Sequence, residues 1–235
     1  MTRLFMHEKS YRRLRSALEA MRGLELLLMA DDGSISLNGQ PISSEDAAPE
    51  AAWANSDIFF NPGAAREFMV TLLKAPAVKW TQSGAAGFDH PIFGQLVGKG
   101  VRLTTSHGQA IGMAEYVVAG VLDHFQRGPE RRAAQQRSAW ERFPFREVMG
   151  SHWLLIGFGA IGQAVAQRAR GFGARITGVR RSQEAHALAD AIASPADLPE
   201  LLPQADVVVL ATPLSATTRG LADGGFLAAM KAGSV

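Results

Sequence analysis

The six residues Gly157-Phe158-Gly159-Ala160-Ile161-Gly162 constrain this chain more than any other stretch. They follow an apolar run, WLLI, and open a segment with helical spacing, AIGQAVAQRARGF, so the glycines fall at the seam between a buried strand and a helix. Each glycine has a separate task there. Gly157 permits the tight turn, Gly159 lets a pyrophosphate approach the backbone, and Gly162 allows helix and strand to pack closely. The helix that starts near Ala160 directs unpaired N–H groups and a partial positive charge at whatever lies before it. A glycine-rich turn without a ligand shares the pattern, and so does a flavin or methyl-donor site; the glycines alone do not separate these.

The pattern around the motif sets the fold class. From Ser151 onward WLLIG reads as strand, AIGQAVAQRARGF as helix, ARITGV as strand, SQEAHALADAI as helix, ADVVVLAT as strand and GGFLAAMKA as helix. Upstream, strands are expected at Arg3–His7, Leu24–Met29, Asp57–Phe60, Val78–Trp80 and Val101–Thr104, with helices at Tyr11–Met21 and Ala64–Lys74. Residues 30–52 are polar and punctuated, without a regular element. Gly112–Phe125 reads as a long apolar helix, and QRGPERRAAQQRSAWERF, broken by Gly128 and Pro129, as a segment crossing a surface. Strands separated by helices of about ten residues imply parallel sheets. The expectation is an α/β protein of two domains, the first over residues 1–100 and the second, which carries the glycine motif in a Rossmann-type strand–turn–helix, over residues 101–235.

Composition narrows the partners. With 47% hydrophobic and 20% charged residues the chain is an ordinary globular sequence, and a formal net charge of +2 advertises neither nucleic acid nor an anionic membrane. No apolar run approaches the ~18 residues of a membrane span, and no leader-like segment opens the chain, so a soluble protein is expected. Cysteine is absent, which rules out disulfides, thiolate metal sites and a cysteine nucleophile, and fits the cytoplasm.

Arg180, Arg181 and Ser182 end the second strand of the glycine-motif unit, where an NAD-specific site usually carries a carboxylate for the ribose hydroxyls. Their charge-assisted bonds to a 2'-phosphate predict a preference for NADP over NAD; solvated arginines on a surface turn are the bland alternative. The next strand runs into Thr212 and Pro213, and the hydroxyls of Thr212 and Thr218 are candidates for ribose or phosphate, although a plain strand-ending turn looks similar.

Taken together, GFGAIGQAVAQRARGFGARITGVRRS and ADVVVLATPLSATTRGL resemble the cofactor domain of the D-isomer-specific 2-hydroxyacid dehydrogenases. Upstream, VKWTQSGAAGFDH resembles that family's substrate loop and AEYVVAGVL the helix leading into the cofactor domain; residues 1–74 match only in their βα pattern. The resemblance implies a flavodoxin-like α/β substrate domain over residues 1–100, an NAD(P)-binding Rossmann domain, incomplete at its C-terminus, over residues 101–235, and hydride transfer between a nicotinamide and a small 2-oxo or 2-hydroxy acid such as glyoxylate or hydroxypyruvate. It also implies that the substrate carboxylate meets the backbone N–H groups of Ala86 and Gly87, small residues that let an anion reach the main chain. A tight turn that uses Gly84 and Gly87 for local geometry is the alternative.

In that family an arginine in a pattern like NxARG, a carboxylate and a histidine carry catalysis, and none is matched before Val235, so a truncated chain with no catalytic residue of its own is expected. The resemblance further implies a homodimer, with Met113–Phe125 as a candidate interface that core packing would explain equally. In the glyoxylate and hydroxypyruvate reductase branch a tryptophan of the partner subunit reaches the active site, and Trp140 stands where that residue is expected; a tryptophan covering a surface between domains reads the same way.

Of six histidines only His90 and His107 lie near the loop, no two are spaced i, i+4, and none is assigned to catalysis or metal. Glu115 is read as a structural carboxylate on its helix. A non-catalytic nucleotide sensor or corepressor-like module is the alternative to an enzyme.

Overall fold

The computed structural model describes residues 1–87 and 90–235, and the chain divides into two compact units, Met1–Gly108 and Gln109–Val235. In the first, β1 (Thr2–His7) leads into α1 (Glu8–Glu19) and β2 (Leu24–Met29). A hairpin of β3 (Ile35–Leu37) and β4 (Gln40–Ile42) follows, then β5 (Ala51–Ala54), the single turn α2 (Ser56–Phe59), α3 (Pro62–Lys74), β6 (Trp80–Ser83), α4 (Pro91–Gly98) and β7 (Arg102–Thr104). They form one sheet in the order β4-β3-β2-β1-β5-β6-β7. Its five parallel strands, counted in chain order, lie 2-1-3-4-5, the flavodoxin-like arrangement. Phe5 and Phe68 stack at 4.3 Å in its core, beside Leu27, Ile58, Leu72 and Leu96.

Local chemistry accounts for three departures from the expected elements. The hairpin turns on Asn38 and Gly39, both at positive φ (52° and 79°), with Leu37 opposite Gln40; this two-residue turn suits the twist of an antiparallel pair. The strand expected at 57–60 lies at Ala51–Ala54 instead, because the Asn55 side chain accepts the Asp57 N–H and starts α2. The strand expected at 78–80 begins at Trp80, where Trp80 pairs with Ala51 and Arg102.

The second unit runs α5 (Ala110–Phe125), α6 (Gly128–Gln136), β8 (His152–Ile156), α7 (Ala160–Gly171), β9 (Arg175–Val179), β10 (Ala191–Ala193), α8 (Leu198–Leu201), β11 (Val207–Leu210) and α9 (Gly224–Ala229). Its parallel sheet has the order β10-β9-β8-β11, a Rossmann 3-2-1-4 sequence with its reversal between β8 and β11. Trp153, Leu155, Ile176, Val207 and Val209 pack on α7 and on the Ala114–Val118–Val121–Phe125 stripe of α5, while Leu154, Ile156, Val179, Leu198 and Leu202 fill the other face.

The helix expected over SQEAHALADAI does not form. Asp190 there gives its carboxylate to the Ile176 N–H (2.7 Å) and its own N–H to Ile176 O, which delivers the chain to β10 as a strand. Within the stretch read as a surface crossing, residues 128–136 are helical, with Pro129 in the first turn where its missing N–H costs nothing.

Asp206 anchors the end of this unit. Its buried carboxylate accepts from Lys231 Nζ (2.6 Å), the His152 N–H (2.9 Å) and the Arg146 guanidinium (3.0 Å), which also lies over the Phe125 ring at 4.3 Å. Burial works to raise the Asp206 carboxyl, but the Lys231 bond, the His152 N–H and the two cations outweigh it and hold the group below the usual carboxylate range. Val235 forms a parallel bridge beside Val207, donating to Asp206 O (3.0 Å) and accepting from Val208 N (2.8 Å). Among the described residues no helix is long and apolar enough to cross a membrane.

Candidate functional site

The reversal of strand order puts the turns after β8 and β11 side by side. Gly157 takes φ +97°, and a Cβ on it would stand 2.5 Å from Ala211 O and 2.8 Å from Thr212 N, so the turn requires glycine on both conformational and steric grounds. A Cβ on Gly162 would stand 2.3 Å from Gly157 O, which explains the close helix–strand approach. Gly159 differs. It is exposed, and no heavy atom lies within 4 Å of the place its Cβ would take.

Helix α7 starts at that opening without a side-chain cap, and its first bond runs from the Gln163 N–H to Gly159 O (2.9 Å). The N–H groups of Ala160, Ile161 and Gly162 have no acceptor among the described residues. Three unpaired donors thus stand at the start of a twelve-residue helix at the carboxyl end of a parallel sheet, an arrangement that suits an anion such as a phosphate group.

The remaining expected residues cluster by the same edge. Val179 O accepts the Gly157 N–H (3.0 Å), which brings Arg180 to the next position along. Arg180 is tied down: its N–H donates to Ala193 O (3.1 Å), its guanidinium bonds Glu184 O, and its Nε is buried with no partner among the described residues. Arg181 and Ser182 are exposed, Thr212 is half-buried and Pro213 exposed. Thr218 is bonded within its own loop. Its hydroxyl donates to Pro213 O (2.6 Å) and accepts from the Ser215 N–H (2.8 Å), with Ser215 Oγ at 3.0 Å, so its bonding capacity is spent holding the loop. Phe158 places its ring in the core rather than toward a ligand.

In the first unit the loop after β6 is pinned at its start. The Gly84 N–H donates to Ala54 O (2.6 Å), the Ala85 N–H to Ser83 Oγ (3.1 Å), and Ser106 N–H to Ala85 O (3.1 Å). Ala86 and Gly87 follow, half-buried, and their N–H groups have no acceptor among the described residues. Phe88 and Asp89 of the same loop motif lie outside the described residues. His90 caps α4 by accepting the Ile92 N–H, and His107 is exposed.

Residues that sequence reasoning passed over line an open groove of about 500 Å³: Lys9, Asp31, Ser56, Asp57, Asn61 and the exposed ring of Phe60 among them. It lies beyond the ends of β1, β2 and β5, a placement that strand pairing creates and no local motif announces. The Lys9 ammonium, bonded to Asp31, holds that carboxyl below its ordinary range. At Asp57 burial acts in the opposite sense and is overcome by Ser10, by Arg13 and by His7.

Residues 118–235 match the model of the NAD binding domain of the D-isomer specific 2-hydroxyacid dehydrogenases. This chain belongs to that family. Among curated relatives, the glyoxylate reductase of Thermococcus kodakarensis is 43% identical over 99 residues, 41% of this chain and 29% of the relative. The glyoxylate reductase of Thermococcus gammatolerans is 32% identical over 154 residues, 61% of this chain and 46% of the relative. The chain thus spans less than half the length of these relatives.

Among solved structures, a D-isomer specific 2-hydroxyacid dehydrogenase family protein of Aeromonas salmonicida superposes with a TM-score of 0.75 at 25% identity, over 99% of this chain and 70% of that one. A D-isomer specific 2-hydroxyacid dehydrogenase of Xanthobacter autotrophicus, solved with NADPH and MES, gives 0.74 at 23% over the same shares, a likeness of fold. Membership in the dehydrogenase family answers the question the glycines left open: the start of α7 belongs to a nicotinamide dinucleotide fold rather than to a flavin or methyl-donor site.

Proposed function

We propose that residues 1–235 bind a nicotinamide dinucleotide, NADPH in preference to NADH, and that the whole protein reduces a small 2-oxo acid such as glyoxylate or hydroxypyruvate. The single observation that carries the reading is the uncapped start of α7, with three free N–H groups before the open Gly159. A diphosphate meets these donors, and the helix dipole adds to their charge complementarity.

The adenosine end then extends along the carboxyl edge of β9, where residues 180–183 read Arg-Arg-Ser-Gln and offer cations and a hydroxyl but no carboxylate. This favours a 2'-phosphate over a free ribose hydroxyl. Thr212 and Pro213 form the opposite wall. The nicotinamide, when bound, supplies the hydride, and the residues of this chain bind and orient it.

For the substrate we propose that the N–H groups of Ala86 and Gly87 hold its carboxylate, supported by their lack of an internal acceptor. The arginine, carboxylate and histidine implied for proton transfer match no residue among these 235, so binding is the activity proposed for the chain and hydride transfer for the whole protein. A homodimer is proposed as well. Helix α5 turns Ala114, Val118, Val121 and Phe125 inward yet leaves Ile111, Met113 and Tyr116 exposed, and Trp140 is 96% exposed. A chain without cysteine suits a reducing compartment, and we place it in the cytoplasm.

Dissociation constants of NADPH and NADH measured side by side test the reading. NADPH is expected to bind about tenfold more tightly, the worth of one charge-assisted contact. Equal or tighter NADH binding removes the NADP assignment.

A further inference from the structure

The glycine turn is joined to the segment that carries Arg181 and Ser182 by a contact that neither motif contains. Phe158 stands between Gly157 and Gly159, and its buried ring covers Gly178 of β9, where a Cβ would come within 2.5 Å of the ring. The same ring meets His186 edge-on, with centroids 5.3 Å apart and planes at 81°. The turn is further braced by Gln163 Nε2, which donates to Phe158 O (3.1 Å).

His186 is itself fixed in place. Its Nδ1 accepts the Leu188 N–H (3.2 Å) and its carbonyl accepts the Ala189 N–H (3.0 Å), so the ring is set by the turn on which it sits. The same segment starts where the Arg180 guanidinium bonds Glu184 O and ends where Asp190 bonds Ile176. His186 is therefore a point at which residues 181–190 contact the glycine turn, beside Leu188 and Ala189, which pack on the same core cluster.

We propose that His186 is a positioning residue: through its edge contact with Phe158 it holds the glycine turn and the 181–190 segment as one piece, so that the diphosphate and 2'-phosphate ends of the cleft keep their spacing. The role in nucleotide binding rests on the dinucleotide reading above, but the mechanical coupling does not, and the two can be tested apart.

Three variants separate the ring from its hydrogen bond. His186→Ala removes both, His186→Phe keeps an aromatic edge without the acceptor, and His186→Asn keeps an acceptor for Leu188 N–H without the ring. Amide hydrogen exchange at Gly157 and Gln163 of the nucleotide-free chain, whose N–H groups bond Val179 O and Gly159 O, is the first readout. Exchange in His186→Ala and His186→Asn is expected to quicken about three- to tenfold, the worth of one aromatic pair, and to stay near wild type in His186→Phe. The NADPH dissociation constant is the second, and it is expected to rise by the same factor in the same two variants.

Unchanged exchange in His186→Ala, or rescue by asparagine and not by phenylalanine, overturns the coupling. Exchange that follows the expected order in a chain whose wild type binds no NADPH upholds the coupling and removes the dinucleotide reading instead.

Discussion

At the carboxyl edge of the first sheet, α1, α2, α3 and α4 begin at His7, Asn55, Asn61 and His90, and each of these side chains accepts a first-turn N–H of its own helix. At the same edge of the second sheet, α7 begins at Gly159, which has no side chain to offer. Both arrangements address the unpaired donors of a helix start. In the first unit the chain satisfies them internally and gains stability; in the second they have no acceptor among the described residues, which is the basis of the proposed binding edge.

The largest effect is expected from making the second edge like the first. Gly159 sits at φ −88° with open space at its Cβ, so Gly159→Asp fits without strain and caps α7 with its own carboxylate. NADPH affinity should fall about a hundredfold or more, as charge-assisted bonds are lost and a like charge is added, while thermal stability holds or rises slightly. A variant that loses stability and keeps its affinity breaks the comparison.

Asp206→Asn comes next. It should cost about 2 kcal/mol at neutral pH by weakening the bonds from Lys231, Arg146 and His152. Because the folded-state pKa of Asp206 lies below its unfolded value, the ionised group stabilises the fold above the ordinary carboxylate range. That contribution disappears as the pH falls through the depressed folded value. Denaturation curves of wild type and variant should therefore converge in acid, and a constant gap contradicts the assigned role.

Smaller in scale, Arg181→Ala should lower the NADPH-to-NADH affinity ratio about tenfold with little change in NADH binding. Equal loss for both nucleotides would place Arg181 away from the 2'-phosphate. Asn61→Ala, in the first unit, should cost about 1 kcal/mol of stability through loss of the Ala64 N–H cap, with no change in NADPH affinity. A drop in affinity there would mean that a capped edge also serves the ligand.

How far the sequence foretold this picture depends on the range of the forces involved. The glycine turn was legible because the positive φ of Gly157 and the approach of Gly162 to Gly157 O arise within a few residues and leave a fixed spacing, even though Ala211 and Thr212, which also crowd Gly157, come from far along the chain. The Asn38-Gly39 hairpin carried an equally local signal, hidden only by the polar residues around it. Residues 183–190 were not legible: their alanines and glutamate favour a helix, and what overrides them is the pairing of Asp190 with Ile176 across the sheet. Thr218 was likewise a hydroxyl in the right region whose partners, Pro213 and Ser215, only the folded loop reveals. The groove along Lys9, Asp31 and Asn61 needed three strand ends to be brought together before it existed at all.

The account turns on where a dinucleotide touches the chain, and amide chemical shifts followed during titration of the labelled protein with NADPH test that most directly. Saturable shifts led by Gly159, Ala160, Ile161 and Gly162, with Arg181 and Ser182 moving in step, are the expected result. Shifts confined to residues 1–108, or a titration that leaves the α7 amides unmoved, would contradict it.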